Sequence, residues 1–216
     1  MIGRKLISYR SMPISYAEAR NIVFLKSAVR ADHVRMKNQL LKEKKLLPPD
    51  DLQRISKVVN PDSDPNLPHI GLVGDTYTIL LSANDTNGRY CLIDMHVPPG
   101  GGPPPHRHDF EETFIILDGE IEATFRGEKR VVKAGETINI PANAPHQFRN
   151  SSSKAARMLC ICSPAGQEEF FKELGMPVAT RTTPPPTLTD EQQKAFMNKT
   201  MELAPKYRTQ LLKEAN

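Results

Sequence analysis

The chain has no tryptophan and only three cysteines in 216 residues, and apolar residues make up 38%. No uninterrupted apolar stretch approaches the ~20 residues that a membrane-spanning helix needs, so a helical membrane protein is excluded. Three cysteines are an odd and small number for a chain of this length, which argues against a disulfide-stapled secreted scaffold. Acidic residues are scarce at one end. Residues 1–47 carry eleven Lys/Arg against three Asp/Glu, while the other 169 carry eighteen against twenty-two. The net charge of +4 therefore belongs to the N-terminal segment, and a mildly acidic body disfavours nucleic acid as its partner.

Nineteen prolines against twelve glycines point to stiff loops and short strands rather than a helical bundle. At the N-terminus, Ser15-Tyr16-Ala17-Glu18 has the capping-box form, and Ile22, Leu25, Val29, Met36 and Leu40 follow at roughly helical spacing. A helix over about 16–46 is expected, ending before Pro48-Pro49. The segment lacks the h-region and cleavage pattern of a signal peptide and the aromatics of a nucleic-acid tail, which leaves a basic helical or flexible extension over 1–55. Met36 leaves open a later natural start of translation.

From about 70 to 165 the pattern becomes short alternating runs separated by turn residues. Strands are expected over 76–82, 89–97, 113–117, 121–126, 130–133, 137–140, 147–149 and 156–162. Asp118-Gly119 and Ala134-Gly135-Glu136 lie between them and supply the positive φ that tight turns demand. This is the pattern of an all-β core, assigned to a domain over 56–180. Beyond it, Ser163-Pro164 reads as an N-cap with proline at N1, opening a helix that Gly175 stops. A Pro-rich spacer and a C-terminal helix occupy 181–216, opened by a capping box at Thr189 and Gln192 and divided by Pro205. Its stripe of Phe196, Leu203, Tyr207 and Leu211 should pack on the body or on a partner subunit.

The chemistry concentrates in residues 100–150. His106 and His108 are two apart, so on an extended chain both imidazoles share a face, and Glu112 keeps that face if the chain stays extended. His146 follows a separate turn built from Pro141, Asn143 and Pro145. In a closed β structure the two segments can face one another. Neutral imidazole and carboxylate suit Fe(II), Mn(II), Ni(II), Cu(II) or Zn(II), and four protein donors leave open positions for a substrate.

These residues carry a resemblance. Gly100, His106, His108, Glu112 and Gly119 match every fixed position of the first cupin motif. Gly135, Pro141, Asn143, His146 and Asn150 resemble the second, with Asn143 where glycine is usual; Asn tolerates left-handed backbone well. The run from Pro98 to His106 and Glu111-Glu112-Thr113-Phe114 looks like members described as quercetin-dioxygenase-like. The resemblance implies a double-stranded β-helix (jelly-roll) cupin barrel with His106, His108, Glu112 and His146 as ligands of one divalent metal ion. It also implies a homodimer acting on a small oxygen-chelating substrate as a dioxygenase-like oxidoreductase, with Glu112 able to take a proton, and a cytoplasmic location is expected. A redox-neutral isomerase, lyase or decarboxylase and a non-catalytic small-molecule-binding cupin stand as alternatives. Phe114, Ile116 and Phe148 share parity with the ligands and are candidates for the substrate pocket, and His96 is a further one. Cys91, Cys160 and Cys162 read as reduced, half-buried thiols, Glu168-Glu169 as a solvated helix face, and His33 and His69 as solvent-facing.

Overall fold

The computed structural model describes residues 47–213, so the helix expected over 16–46, Met36 and His33 lie outside the described residues. The chain divides into two units, Met1–Ile55 and Ser56–Asn216. In the described part of the first, Asp51 closes a turn by accepting from Gln53 N at 3.1 Å and Arg54 N at 3.0 Å.

The second unit opens with β1 (His69–Leu72), β2 (Asp75–Leu81), the one-turn helix α1 (Ala83–Thr86) and β3 (Cys91–Val97). There follow β4 (His106–His108), β5 (Glu111–Asp118), β6 (Glu120–Phe125), β7 (Glu128–Lys133), β8 (Thr137–Ile140), β9 (His146–Arg149) and β10 (Ala156–Ser163). The chain ends with α2 (Gln167–Leu174), β11 (Met176–Pro177), α3 (Asp190–Leu203), a 3₁₀ turn (Ala204–Tyr207) and β12 (Thr209–Leu211). All eight strands expected from alternation are present. Among the described residues the strands form two antiparallel sheets, in the orders β11-β1-β2-β3-β10-β5-β8 and β12-β4-β9-β6-β7. The sheets are separate rather than closed, and together they make the two-sheet jelly roll that the resemblance implies.

Alternation explains the packing. In β5, Glu112, Phe114 and Ile116 are buried while Glu111, Leu117 and Asp118 are exposed. In β10, Ala156, Met158, Cys160 and Cys162 turn inward. Ile121, Ala123, Val132 and Phe148 of the five-stranded sheet join them in one apolar cluster. Phe114 and Phe148 meet across the two sheets, edge to face, with centroids 5.3 Å apart.

Several expectations are corrected. Ser163 closes β10 and is joined to Pro164 by a cis peptide, and α2 starts later, with Gly166 as N-cap. Gly175 does stop that helix, and Thr189 with Gln192 forms the expected capping box of α3. Glu168 is not solvated. It is wholly buried, accepting from Ala83 N at 2.6 Å and Gly166 N at 2.8 Å, because two orphan amides at helix starts need an acceptor there. His69 is half-buried against Thr78 Oγ1 at 2.7 Å. Among the described residues no helix is long and apolar enough to cross a membrane.

The glycine run before β4 is required by close approach. Gly100 N donates to Asn150 O at 2.7 Å, and Asn150 N to Gly101 O at 2.9 Å. A Cβ on Gly102, whose φ is +129°, would stand 2.1 Å from the Phe148 carbonyl oxygen. Gly127, with φ +88°, has open space around the same atom. Gly102→Ala should therefore lose about 3 kcal/mol or more of stability, combining collision with strain, while Gly127→Ala loses about 1 kcal/mol from strain alone. Urea denaturation followed by circular dichroism measures both.

Candidate metal centre

Two neighbouring strands and a bend bring the motif residues together. His106 in β4 lies directly opposite His146 in β9. The chain bends after His108, and β5 then returns Glu112 to the same interior. The order of the sheets thus joins segments that the sequence keeps forty residues apart. Asn143 adopts left-handed backbone at φ 68°, as the turn before His146 demands, and its N–H donates to His108 O at 2.6 Å. Asn150, the last motif position, donates through its buried amide to Val97 O at 2.8 Å and Lys154 O at 2.7 Å, pinning the end of β9.

One potential ligand atom from each of His106, His108, Glu112 and His146 lies within 4.8 Å of the others, and all four residues are buried. Each imidazole is oriented by its own backbone. The Nδ1 atoms lie 2.9 Å from carbonyl oxygens, His106 from Pro104 O, His108 from Phe110 O and His146 from Ala144 O. A carbonyl can only accept, so each Nδ1 carries the proton and each Nε2 presents its lone pair inward. Glu112 Oε2 stands 3.0 Å from His146 Nε2 and 3.2 Å from His108 Nε2. Acceptors crowded this closely in a dry pocket repel one another unless a cation sits among them. Donors about 2.1 Å from one ion stand about 3.0 Å apart at right angles and about 3.4 Å apart in a tetrahedron, so the spacing fits donors that share one metal ion. The residues fit a metal.

Without a metal, a proton takes the cation's place. Burial pushes the Glu112 carboxyl up, but hydrogen bonds and charge from His108 and His146 outweigh it and hold the group well below the usual carboxylate range. Burial pushes His146 down, yet its contact with Glu112 leaves it raised. Burial and the neighbouring His146 bring His106 down to about 4.

Glu112 and His106 border a cavity of about 80 Å³ whose wall includes Tyr77, Met95, Phe114, Phe148, Phe170 and Leu211. Phe114 and Phe148 thus stand where parity puts them. Ile116 is buried in the core but does not border the cavity. His96 is not brought to the site: it alternates with Met95 and Val97, facing the other side of β3 among Thr76 and Arg157. A larger groove of about 800 Å³ lies outside and shares Pro103, Pro104, Phe148, Phe196 and Met197 with the inner cavity.

Three contributions escape sequence reasoning. The chain end returns as β12 and pairs with β4, Thr209 opposite His108 and Leu211 opposite His106, so the C-terminus braces the two histidines. Asp75 is buried and accepts from Tyr77 Oη at 3.0 Å, and burial pushes it up to about 8. Cys160 and Cys162 point at Glu112. Their shared face was readable from the spacing, but the neighbour of that face was not.

A two-sheet jelly roll with a buried three-histidine, one-carboxylate set able to hold a metal ion defines a class of β proteins. The family model of the Cupin domain matches residues 93–162. An uncharacterized protein of Methanocaldococcus jannaschii is 32% identical over 115 residues, which is 52% of this chain and 92% of that protein. The chain belongs to the cupin superfamily. Quercetin 2,3-dioxygenase of Bacillus subtilis is 29% identical over 108 residues, 49% of this chain, and the match spans only 32% of that enzyme. Among solved structures, the polyketide cyclase RemF from Streptomyces resistomycificus aligns with 67% of this chain and 94% of its own, at 23% identity and a TM-score of 0.45.

The sign of the pH dependence follows for the metal-free protein. His106 titrates near 4 when folded and near 6.5 when unfolded, so the unfolded chain takes up the proton first as pH falls. Its contribution is complete above pH 6.5 and is lost toward pH 4, and the lowered Glu112 adds to the loss below about 4.5. The raised His146 works oppositely, fading as pH rises above 6.5. Thermal melts of metal-free protein should fall steeply from pH 6.5 to 4, and His106→Gln should flatten that fall.

Proposed function

We propose that this chain is a metal-dependent oxidoreductase of dioxygenase type, acting on a small organic substrate that chelates through adjacent oxygens, with dioxygen as the oxidant. One observation carries the reading: three imidazoles whose Nδ1 protons are fixed by carbonyls converge with Glu112 beside an apolar cavity. A divalent ion held by His106, His108, Glu112 and His146 would act as a Lewis acid toward the substrate's oxygens and lower the pKa of its enolic proton. Four protein donors leave up to two positions of six for a chelating substrate or for the oxidant. The name of the Bacillus subtilis relative supports the dioxygenase class. A homodimer is part of the same reading.

The chain's own residues set what enters. Phe114, Phe148, Met95 and Phe170 offer apolar walls that exclude water and give a charged substrate no partner apart from the centre. The cavity of about 80 Å³ is far smaller than the ~300–1,000 Å³ typical of drug-sized ligands, which favours a compact diketone, hydroxyketone or enol over a flavonol. Glu112 stays ionised and lends one oxygen to the ion, offsetting part of its charge. Tyr77 lines the cavity and donates its hydroxyl to the buried carboxyl of Asp75.

The decisive experiment uses protein purified without chelators or a histidine tag. Elemental analysis should find about one iron, nickel, copper or manganese per chain, and His146→Ala should lower that content at least tenfold. Oxygen uptake with small 1,2-diketones and enolisable β-diketones should appear in the metal-loaded wild type and vanish in His146→Ala. Equal turnover without oxygen, or zinc with no uptake, overturns the oxidative reading in favour of redox-neutral catalysis.

A further inference from the structure

We propose a second metal site on the opposite side of Glu112, in which Cys160 Sγ, Cys162 Sγ and Glu112 Oε1 hold a thiophilic d¹⁰ ion such as Zn²⁺. It shares Glu112 with the centre above but does not depend on the activity proposed there.

Register creates the site. Strand β10 lies between β3 and β5, with Cys162 directly opposite Glu112 and Cys160 opposite Phe114. Side chains two apart share the inward face, so both sulfurs meet the carboxylate of the adjoining strand. All three residues are buried, and their ligand atoms lie within 4.8 Å of one another. Glu112 divides its oxygens. Oε2 faces His108 and His146, whereas Oε1 faces the thiols, at 3.4 Å from Cys160 Sγ and 3.8 Å from Cys162 Sγ. The two sulfurs are 3.6 Å apart.

These distances describe a tetrahedral face. Metal–sulfur bonds of about 2.3 Å and metal–oxygen bonds of about 2.1 Å place two sulfurs about 3.8 Å apart, and sulfur and oxygen about 3.6 Å apart. The observed edges agree within ~0.2 Å of those values. At 3.6 Å the sulfurs are far beyond the ~2.05 Å of a disulfide. Donor chemistry separates the two compartments: imidazoles with a carboxylate oxygen suit harder ions, and paired thiolates suit zinc, cadmium or cuprous copper. Binding replaces two thiol protons, which leave for solvent, so the buried compartment exchanges two S–H groups for two metal–sulfur bonds. Both cysteines are fully buried, so the triplet lies in the dry core beside the cavity that Glu112 borders. Cys91, opposite Cys162 on β3, stands outside the triplet.

Cadmium is the probe. Titrated into the metal-free full chain, Cd²⁺ should produce a thiolate-to-metal charge-transfer band and release two protons per ion bound at this site. The cadmium-113 resonance of the unaltered protein should show a sulfur-ligated ion distinct from one held by imidazoles. Cys160→Ser with Cys162→Ser should reduce the band at least tenfold, while Cys91→Ser and His146→Ala retain it. Loss of metal from the histidine side in His146→Ala thus tests the other centre separately. A cadmium-113 signal from nitrogen and oxygen ligands alone would mean that the thiols merely hydrogen-bond Glu112, and a band that survives the double serine variant would assign it to Cys91; either result overturns the proposal. The resonance of unaltered protein decides the matter even if the serine variants fail to fold.

Discussion

A carboxylate and three imidazole lone pairs pressed together away from water form an arrangement that only a cation makes stable. The rest of the structure serves that constraint. Three backbone carbonyls hold the Nδ1 protons outward from the centre, so the inward nitrogens have no proton of their own to donate. Burial strengthens every electrostatic interaction here, which turns small errors of placement into large penalties. A site of this kind must therefore be held by backbone rather than by flexible side chains, and it is.

The holding is done from both ends of the fold. Upstream, the glycine run lets the lead-in to β4 lie against β9 at distances that a side chain would block. Downstream, β12 completes the sheet beside β4, so Thr209–Leu211 support the first two histidines. The apolar wall contributed by Phe114 and Phe148 belongs to both sheets, which ties the cavity's shape to the packing of the whole core. Function and stability are thus coupled: the same inward faces that bury apolar area also border the cavity.

Glu112 is the point where two chemistries meet. Its position in β5 places one oxygen toward the histidines of the five-stranded sheet and the other toward the thiols of β10. A residue so placed cannot be replaced by glutamine without changing charge on both sides at once. In the metal-free protein, contact with His108 and His146 keeps its proton affinity low against the pull of burial.

Much of this was legible in the chain. Alternation marked the eight strands because a half-buried strand repeats every two residues, and the motif spacing named the four converging residues. What failed did so for identifiable reasons. His96 has strand parity set by Met95 and Val97, which points it away from the centre. Glu168 looked like a helix-surface acid, yet distant amides at Ala83 and Gly166 claimed it. Ser163 has the composition of a cap but is consumed by β10. Thr209–Leu211 is too short to announce itself as a strand, and it becomes one only because β4 has a free edge. Local order and residue type determined which side chains share a face and what ions they suit, since both follow from covalent geometry and donor chemistry. Which faces meet, Glu112 with Cys160 and Cys162 or His106 with His146, was decided only by strand pairing across the folded sheets, because hydrogen-bonded register is a relation between segments that no single segment contains.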